Sequence, residues 1–173
     1  MLKRLFKPRP AERAGHALYE RVVAQARTPA LYAALGAPDT VEGRFELYSL
    51  HVYLLLERLK GQGEPAADTA QALFDTYVKA LDHALREMGV GDLSVGKKMR
   101  KLGEAFFGRV KSYEDAFAGL PDRTRLDALI ARTVYEGAAF RPEMGDYVLK
   151  QRAALAEQSL EGLLRGDVVW SAP

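Results

Sequence analysis

Apolar residues along this chain recur at steps of three and four, and no stretch alternates at every second position. That spacing predicts helices from end to end and no sheet. The first helix, Ala11–Ala26, follows Pro8 and Pro10 and aligns Leu18, Val22 and Ala26 on one face. A short helical piece over Thr28–Leu35 is closed by Gly36 and Pro38. Asp39 or Thr40 then caps a helix that runs to about Lys60, where Gly61 and Gly63 stop it. This helix carries Phe45, Leu47, Tyr48, Leu50, Val52, Tyr53, Leu54, Leu55, Leu56 and Leu59, so it is apolar on nearly every side. A helix of that kind belongs in the middle of a bundle, and Val41–Leu59 is expected to be the most buried element.

The next segment, roughly Ala67–Met88, aligns Ala70, Phe74, Tyr77, Leu81, Ala84 and Met88, with acid-before-base pairs Asp75–Lys79 and Asp82–Arg86 on the outer side. Gly89 stands where a left-handed residue ends a helix, and Val90 supplies the apolar contact behind it. Asp92 or Ser94 caps a helix through about Phe117, with Met99, Leu102, Phe106, Val110, Tyr113 and Phe117 facing inward. Pro121–Tyr135 and Glu143–Leu164 follow, the latter ended by Gly166, and Val168, Val169 and Trp170 are expected to dock onto the body. The fold class is therefore all-α, a bundle-like domain of six or seven helices. No internal repeat, low-complexity tract or linker interrupts it.

Composition narrows the functional classes. A chain of 173 residues with 48% hydrophobic and 28% charged residues fits one ordinary globular domain. With no cysteine, disulfides, thiolate metal sites and cysteine nucleophiles are excluded. The net charge of +2 hides an asymmetry: residues 1–10 hold Lys3, Arg4, Lys7 and Arg9 and no acid, which leaves −2 for the rest. A body so near neutrality argues against a DNA-binding face. The chain thus divides into a basic, flexible segment, 1–10, and a single helical domain, 11–173. The segment suits an anionic membrane surface or rRNA, and a solvated end accounts for it equally. Its apolar residues are too broken by charge for a secretory signal. The longest uncharged apolar stretch of the body, Leu47–Leu56, is half the ~20 residues that span a bilayer. A soluble protein is expected.

The candidate chemistry is sparse. Gly91 to Lys98 matches G-x4-G-K, but Lys98 stands where a phosphate loop needs a hydroxyl for magnesium, and a helix precedes it rather than a strand. A glycine-rich corner between helices explains it better. His16–Glu20 and His83–Glu87 read as surface pairs, since no Glu-x-x-His motif accompanies them. His51, in the most apolar helix, reads as a hydrogen-bonded core residue. No metal, cofactor or catalytic set is expected, and the chain is not read as an enzyme. Two features ask for a partner. Lys97, Lys98, Arg100 and Lys101 fall in the first turn of a helix, where the dipole disfavours cations. Gly96, Gly103 and Gly108 lie in that same helix, which suggests close approach of another helix or a shallow groove.

At this point the residues point to a family. Ala26-Arg27 with Leu31-Tyr32, then GAPDTVEGRFELYSLHVYLLLERL (Gly36–Leu59), then LFDTYVKALDHALREMGVGDLSVGKKMRKLGEAFFGRVKSYEDAF (Leu73–Phe117) closely resemble the ubiquinol–cytochrome c chaperones. The likeness covers roughly Ala24 to Gly137, about two thirds of the chain. It implies a helical, non-enzymatic assembly chaperone of the cytochrome bc complex that binds newly made cytochrome b. Mitochondrial members of the family act near the ribosomal exit and the inner membrane with a small partner protein. This chain lacks a long targeting extension, which implies a bacterial-type member in the cytoplasm, on the inner face of the membrane. The motifs imply a protein-binding surface of Asp39, Arg44, His51, Asp92, Lys97, Lys98, Arg100, Lys101 and Arg109, with Gly43, Gly89, Gly91, Gly96 and Gly103 as framework or surface. A helical module for lipid or quinone is the alternative, and it would need a deep apolar pocket beside the glycine-bearing helix.

Overall fold

The computed structural model describes residues 9–173 and folds them into eight helices: α1 (Pro10–Ala26), α2 (Pro29–Ala33), α3 (Val41–Leu59), α4 (Glu64–Glu87), α5 (Asp92–Ala118), α6 (Thr124–Thr133), α7 (Glu143–Glu157) and α8 (Leu160–Arg165). No strand occurs among the described residues. The basic stretch over residues 1–8, with its expected membrane or ribosome contact, lies outside them.

Helix α3 is the floor on which the others pack. Leu47, Leu50, Val52, Leu54, Leu55 and Leu59 are all buried, and so are Glu46, Ser49 and His51. The Thr40 hydroxyl opens it by accepting the Gly43 N–H at 3.0 Å. Across it, α1 and α4 cross closely at Gly15, where a Cβ would lie 2.5 Å from the Leu73 nitrogen. One continuous core runs from Leu18 in α1 to Val168 in the tail.

Three element boundaries differ from the sequence expectation, each for a local reason. Ser159 breaks the segment expected over Glu143–Leu164, because its hydroxyl accepts the Gly162 N–H at 3.1 Å and starts α8 as a separate helix. Arg58 meanwhile donates to the carbonyls of Leu155 and Gln158 at 2.9 Å each, closing the end of α7. Helix α6 starts at Thr124 instead of Pro121, since the Asp122 carboxylate takes the Thr124 N–H at 2.9 Å and its hydroxyl at 2.6 Å. Helix α5 starts at Asp92, with Gly91 as the residue before it. The four cations therefore lie in its second and third turns, behind an acidic first turn, and the dipole penalty that pointed to them does not apply.

Beyond Gly166 the tail is strapped to α7 by two glutamines. Gln158 donates to the Val169 carbonyl and accepts its N–H at 2.8 and 2.9 Å, and Gln151 does the same for Ser171 at 2.7 and 2.9 Å. Val168 is buried and Trp170 half-buried, as expected, while Val169 between them points outward.

Candidate functional site

The α4–α5 hairpin extends past the body as an arm. Tyr77 is the last residue of α4 in the continuous core and Phe106 the first of α5. Between them only Leu85 and Val95 are buried, and neither belongs to that core. At 1.5 Å per residue, α4 runs on by about 16 Å from Tyr77 to Met88. The apolar face expected on α4 consequently loses its cover: Phe74 and Leu81 are half-buried, but Ala84 and Met88 are exposed. A tight turn joins the helices. Gly89 has φ +84°, its N–H reaches the Arg86 carbonyl at 2.9 Å, and the Val90 N–H reaches Leu85 at 3.0 Å. This is the glycine-closed helix end that the sequence indicates.

Helix α5 carries two seams. Phe106, Tyr113 and Phe117 face the core, with Met99, Leu102 and Val110 half-buried beside them. A second seam, Leu93, Gly96, Arg100, Gly103 and Phe107, also steps by three and four but meets no other part of the chain along most of its length. Leu93 is fully exposed and Phe107 largely so, its ring resting on Phe74 and Phe106. A Cβ added at Gly96, Gly103 or Gly108 would find nothing within 4 Å. The expected close approach of another helix is therefore not made within this chain. What remains is an open, shallow strip. The residues that bound it, Leu93 and Phe107, were legible only as apolar positions off the main face.

The nominated residues separate into two groups. Asp92, Lys97, Lys98, Arg100 and Lys101 lie together on the arm, all exposed. Asp92 pairs with Arg86, which also holds Asp82 at 2.7 Å. Arg100 approaches Glu104 at 3.9 Å, and Lys97, Lys98 and Lys101 enter no ion pair among the described residues. Asp39 and Arg44 form a separate exposed corner at the start of α3, paired at 2.6 Å. The Arg44 guanidinium holds the Asp39 carboxyl below its ordinary pKa. Beside them, Gly43 is framework, since a Cβ there would stand 2.2 Å from the Pro38 carbonyl oxygen.

His51 and Arg109 are placed differently. His51 has no exposed surface. Its Nδ1 donates to the Leu47 carbonyl at 2.7 Å, which leaves Nε2 to accept the Tyr147 hydroxyl at 2.6 Å. Tyr147 Oη in turn accepts from Gln25 Nε2 at 2.9 Å, and the edge of Trp170 covers the imidazole, ring centres 5.0 Å apart. Burial lowers the His51 pKa to about 4, so the ring is neutral. Arg109 grips the buried Glu46 through contacts of 2.8, 2.9 and 3.1 Å, a partner that sequence reading missed because 63 residues separate the two. Both nominated residues are thus engaged inside the fold: His51 has no hydrogen-bonding capacity left for a partner, while Arg109, partly exposed, keeps its Nη1 donors free.

The remaining candidates resolve simply. His16–Glu20 and His83–Glu87 are surface pairs at 3.5 and 3.6 Å. Asp82–Arg86 forms as expected, while Asp75 accepts from Gln71 at 2.8 Å. The Gly91–Lys98 run lies almost wholly on α5, so its N–H groups from Ser94 onward are committed to helix bonds and no loop is left to ring a phosphate. Among the described residues no cluster of His, Asp and Glu could hold a metal ion, and no helix is long and apolar enough to cross a membrane. A cleft of about 920 Å³ lies along α1 and α4 and is lined by Glu12, Glu64, Asp68, Asp75 and Lys79 among others. It is open, is bordered by charged side chains and does not border α5, so it is not the deep pocket beside the glycine-bearing helix that a quinone or lipid module needs.

Comparison with known proteins takes in the arm, the corner and the floor together. Residues 33–170 match the family model described as Ubiquinol-cytochrome C chaperone, which carries the likeness past Gly137 and through the tail strap. The Xenopus laevis protein named ubiquinol-cytochrome-c reductase complex assembly factor 1 is 26% identical over 140 residues, 77% of this chain and 68% of that protein. The human protein of the same name is 27% identical over 138 residues, 77% of this chain and 46% of its own length, so the chain spans about half of that relative. Among solved structures, the Cbp3 homolog from Brucella abortus superposes with a TM-score of 0.85 at 38% identity, covering 99% of this chain and 97% of that one. The role these names describe is one of assembly, without catalysis. With most of its length matched, the chain belongs to the ubiquinol–cytochrome c chaperone family.

Proposed function

We propose that this protein is a non-catalytic assembly chaperone of the ubiquinol–cytochrome c reductase complex and holds newly made cytochrome b against the α4–α5 arm. The observation that carries the reading is the second seam of α5. Gly96 and Gly103 face open space between exposed Leu93 and Phe107, on a helix whose other face is already spent on the core. Glycine in a helix interior costs about 1 kcal/mol relative to alanine, and no contact within the chain offsets it here. Seven residues apart on one face, the two glycines admit a helix backbone close to α5, the arrangement by which membrane helices pack. The exposed cations around the seam steer encounter and choice of partner, and the Asp39–Arg44 corner adds a second polar contact. His51 and Arg109 serve by holding α3 in place. A small partner protein, contact with the ribosome, and residence in the cytoplasm at the inner face of a bacterial membrane follow from family resemblance and belong to the same proposal.

The test is a deletion strain assayed for spectroscopic cytochrome b and for the assembled complex. Loss of both, restored by the wild-type gene and not by Gly103→Leu, is the expected result. A Gly103→Leu protein that folds normally and restores full complex would overturn the assignment of the seam. Normal complex levels in the deletion strain would overturn the function itself.

A further inference from the structure

We infer that the tip of the α4–α5 arm docks end-on onto an anionic lipid bilayer. The site shares Leu93 and Arg100 with the seam but not its glycines, and it does not depend on which client the protein holds. The turn between the helices is flanked by Met88, 54% exposed, and Leu93, fully exposed, so the farthest point of the arm is apolar. The turn is partly closed on itself: the Gly89 and Val90 N–H groups close the end of α4, and the Gly91 carbonyl accepts from Ser94 and Val95 at 2.9 and 3.0 Å. The N–H groups that open α5 take no side-chain cap and point to the same side as the tip, where headgroup oxygens can accept from them. Two of its acids, Asp82 and Asp92, are compensated by Arg86.

Behind the tip stand the cations. Lys97 to Lys101 lie about 6–12 Å up the helix axis from Leu93, the depth of the headgroup layer when an apolar edge enters the acyl boundary by about 5–10 Å. Their angular spread separates a bilayer from a protein partner. At 100° per residue, Lys97, Lys98, Arg100 and Lys101 cover nearly half the circumference of α5 instead of one stripe. A partner lying along the helix would meet one stripe, whereas a bilayer entered end-on surrounds the helix and meets them all. Three of the four are also in no ion pair among the described residues. The occupant that fits an apolar point inside a basic collar is a layer of anionic headgroups above hydrocarbon.

Sedimentation of the full chain with vesicles tests this, using phosphatidylcholine alone and phosphatidylcholine mixed with phosphatidylglycerol. Binding is expected to the mixed vesicles only and to weaken with salt. Each of Lys97→Gln, Lys98→Gln and Lys101→Gln should lower partitioning about fivefold. Leu93→Ser should lower it about tenfold with unchanged thermal unfolding. A Leu93→Trp protein should show blue-shifted emission on the mixed vesicles. Three results overturn the proposal: no binding to mixed vesicles at low salt, binding that only Lys3→Gln with Arg4→Gln and Lys7→Gln removes, or arm variants that bind vesicles normally while failing to support complex assembly. The last would make the collar a protein-docking surface.

Discussion

In the body of the protein, glycine and arginine are consumed by the fold, whereas in the α4–α5 arm glycine and lysine face solvent. Gly15 lets α1 and α4 touch backbone to backbone, and Gly43 clears the Pro38 carbonyl. Gly96 and Gly103, in a helix interior where alanine would be better, touch nothing. Arg109 neutralises the buried Glu46, and Arg152 grips Glu57 at 2.8 Å while stacking over Phe117. Lys97, Lys98 and Lys101 have no such partner. Glycines and basic side chains therefore differ in what the fold asks of them: packing and ion pairs account for those in the body, and no contact within the described residues accounts for those in the arm. That difference is measurable as stability on one side and binding on the other.

The largest effect should come from the glycines. Gly15→Ala puts a methyl group 2.5 Å from a backbone nitrogen that cannot swing away, and should lower unfolding free energy by about 3 kcal/mol. Gly96→Ala should raise it by up to about 1 kcal/mol. Urea unfolding of both proteins checks the pair, and equal shifts would erase the distinction between body and arm. The basic residues come next. Arg109→Ala strands Glu46 in a buried position and should cost about 2–3 kcal/mol, somewhat under the range for fully buried pairs because Arg109 is partly exposed. Lys98→Ala, made alongside, should stay within about 0.5 kcal/mol of the wild type.

His51 sharpens the same contrast through pH. Its folded pKa of about 4 lies below the ordinary 6.5, so the unfolded chain binds a proton more readily than the native one. Stability from this residue is complete above 6.5 and is lost as pH falls toward 4. The loss amounts to about 1 kcal/mol between pH 6.5 and about 5.5, and a neutral His51→Gln side chain should remove that part of the slope. A variant whose stability falls as steeply as the wild type over this range would mean that the imidazole is not held neutral.

What could be read from the sequence follows the range of the interactions. Helix α3 was legible because its apolar residues surround it, and the end of α4 because Gly89 and Val90 form a local signal. The family itself was legible in the contiguous runs over Gly36–Leu59 and Leu73–Phe117. The Glu46–Arg109 and His51–Tyr147 pairs were not, because partners 63 and 96 residues apart leave no spacing to detect. His51 was readable as a hydrogen-bonded core residue but its partner was not, and Arg109 was nominated for a binding surface without sight of the buried carboxylate that it holds. The four cations were noticed for a reason that fails, a helix start placed three residues late. Their interest comes from geometry instead, through an arm on which Lys97, Lys98 and Lys101 enter no ion pair among the described residues. The second seam of α5 was present in the sequence as a three-four step, masked because two of its five positions are glycine and contribute no hydrophobicity.

That seam supports a small expected change in stability and the one most informative about function. Gly103→Ala adds a methyl group to a helix interior where nothing lies within 4 Å, so the folded state gains helix propensity without a clash. Unfolding free energy should rise by about 0.5–1 kcal/mol. If a helix of the client packs against α5 at this point, the methyl group instead separates the two backbones, and assembly of the reductase complex should fall although the chaperone is more stable. Gly108→Ala is the control: it is equally open but lies about 140° around the helix from Gly103, off the seam, and should stabilise without harming assembly. Thermal unfolding and complementation of the deletion strain, run on the two variants together, separate the cases. A Gly103→Ala protein that is more stable and assembles the complex as well as Gly108→Ala would show that the α5 glycines leave room for nothing and that the client is held elsewhere.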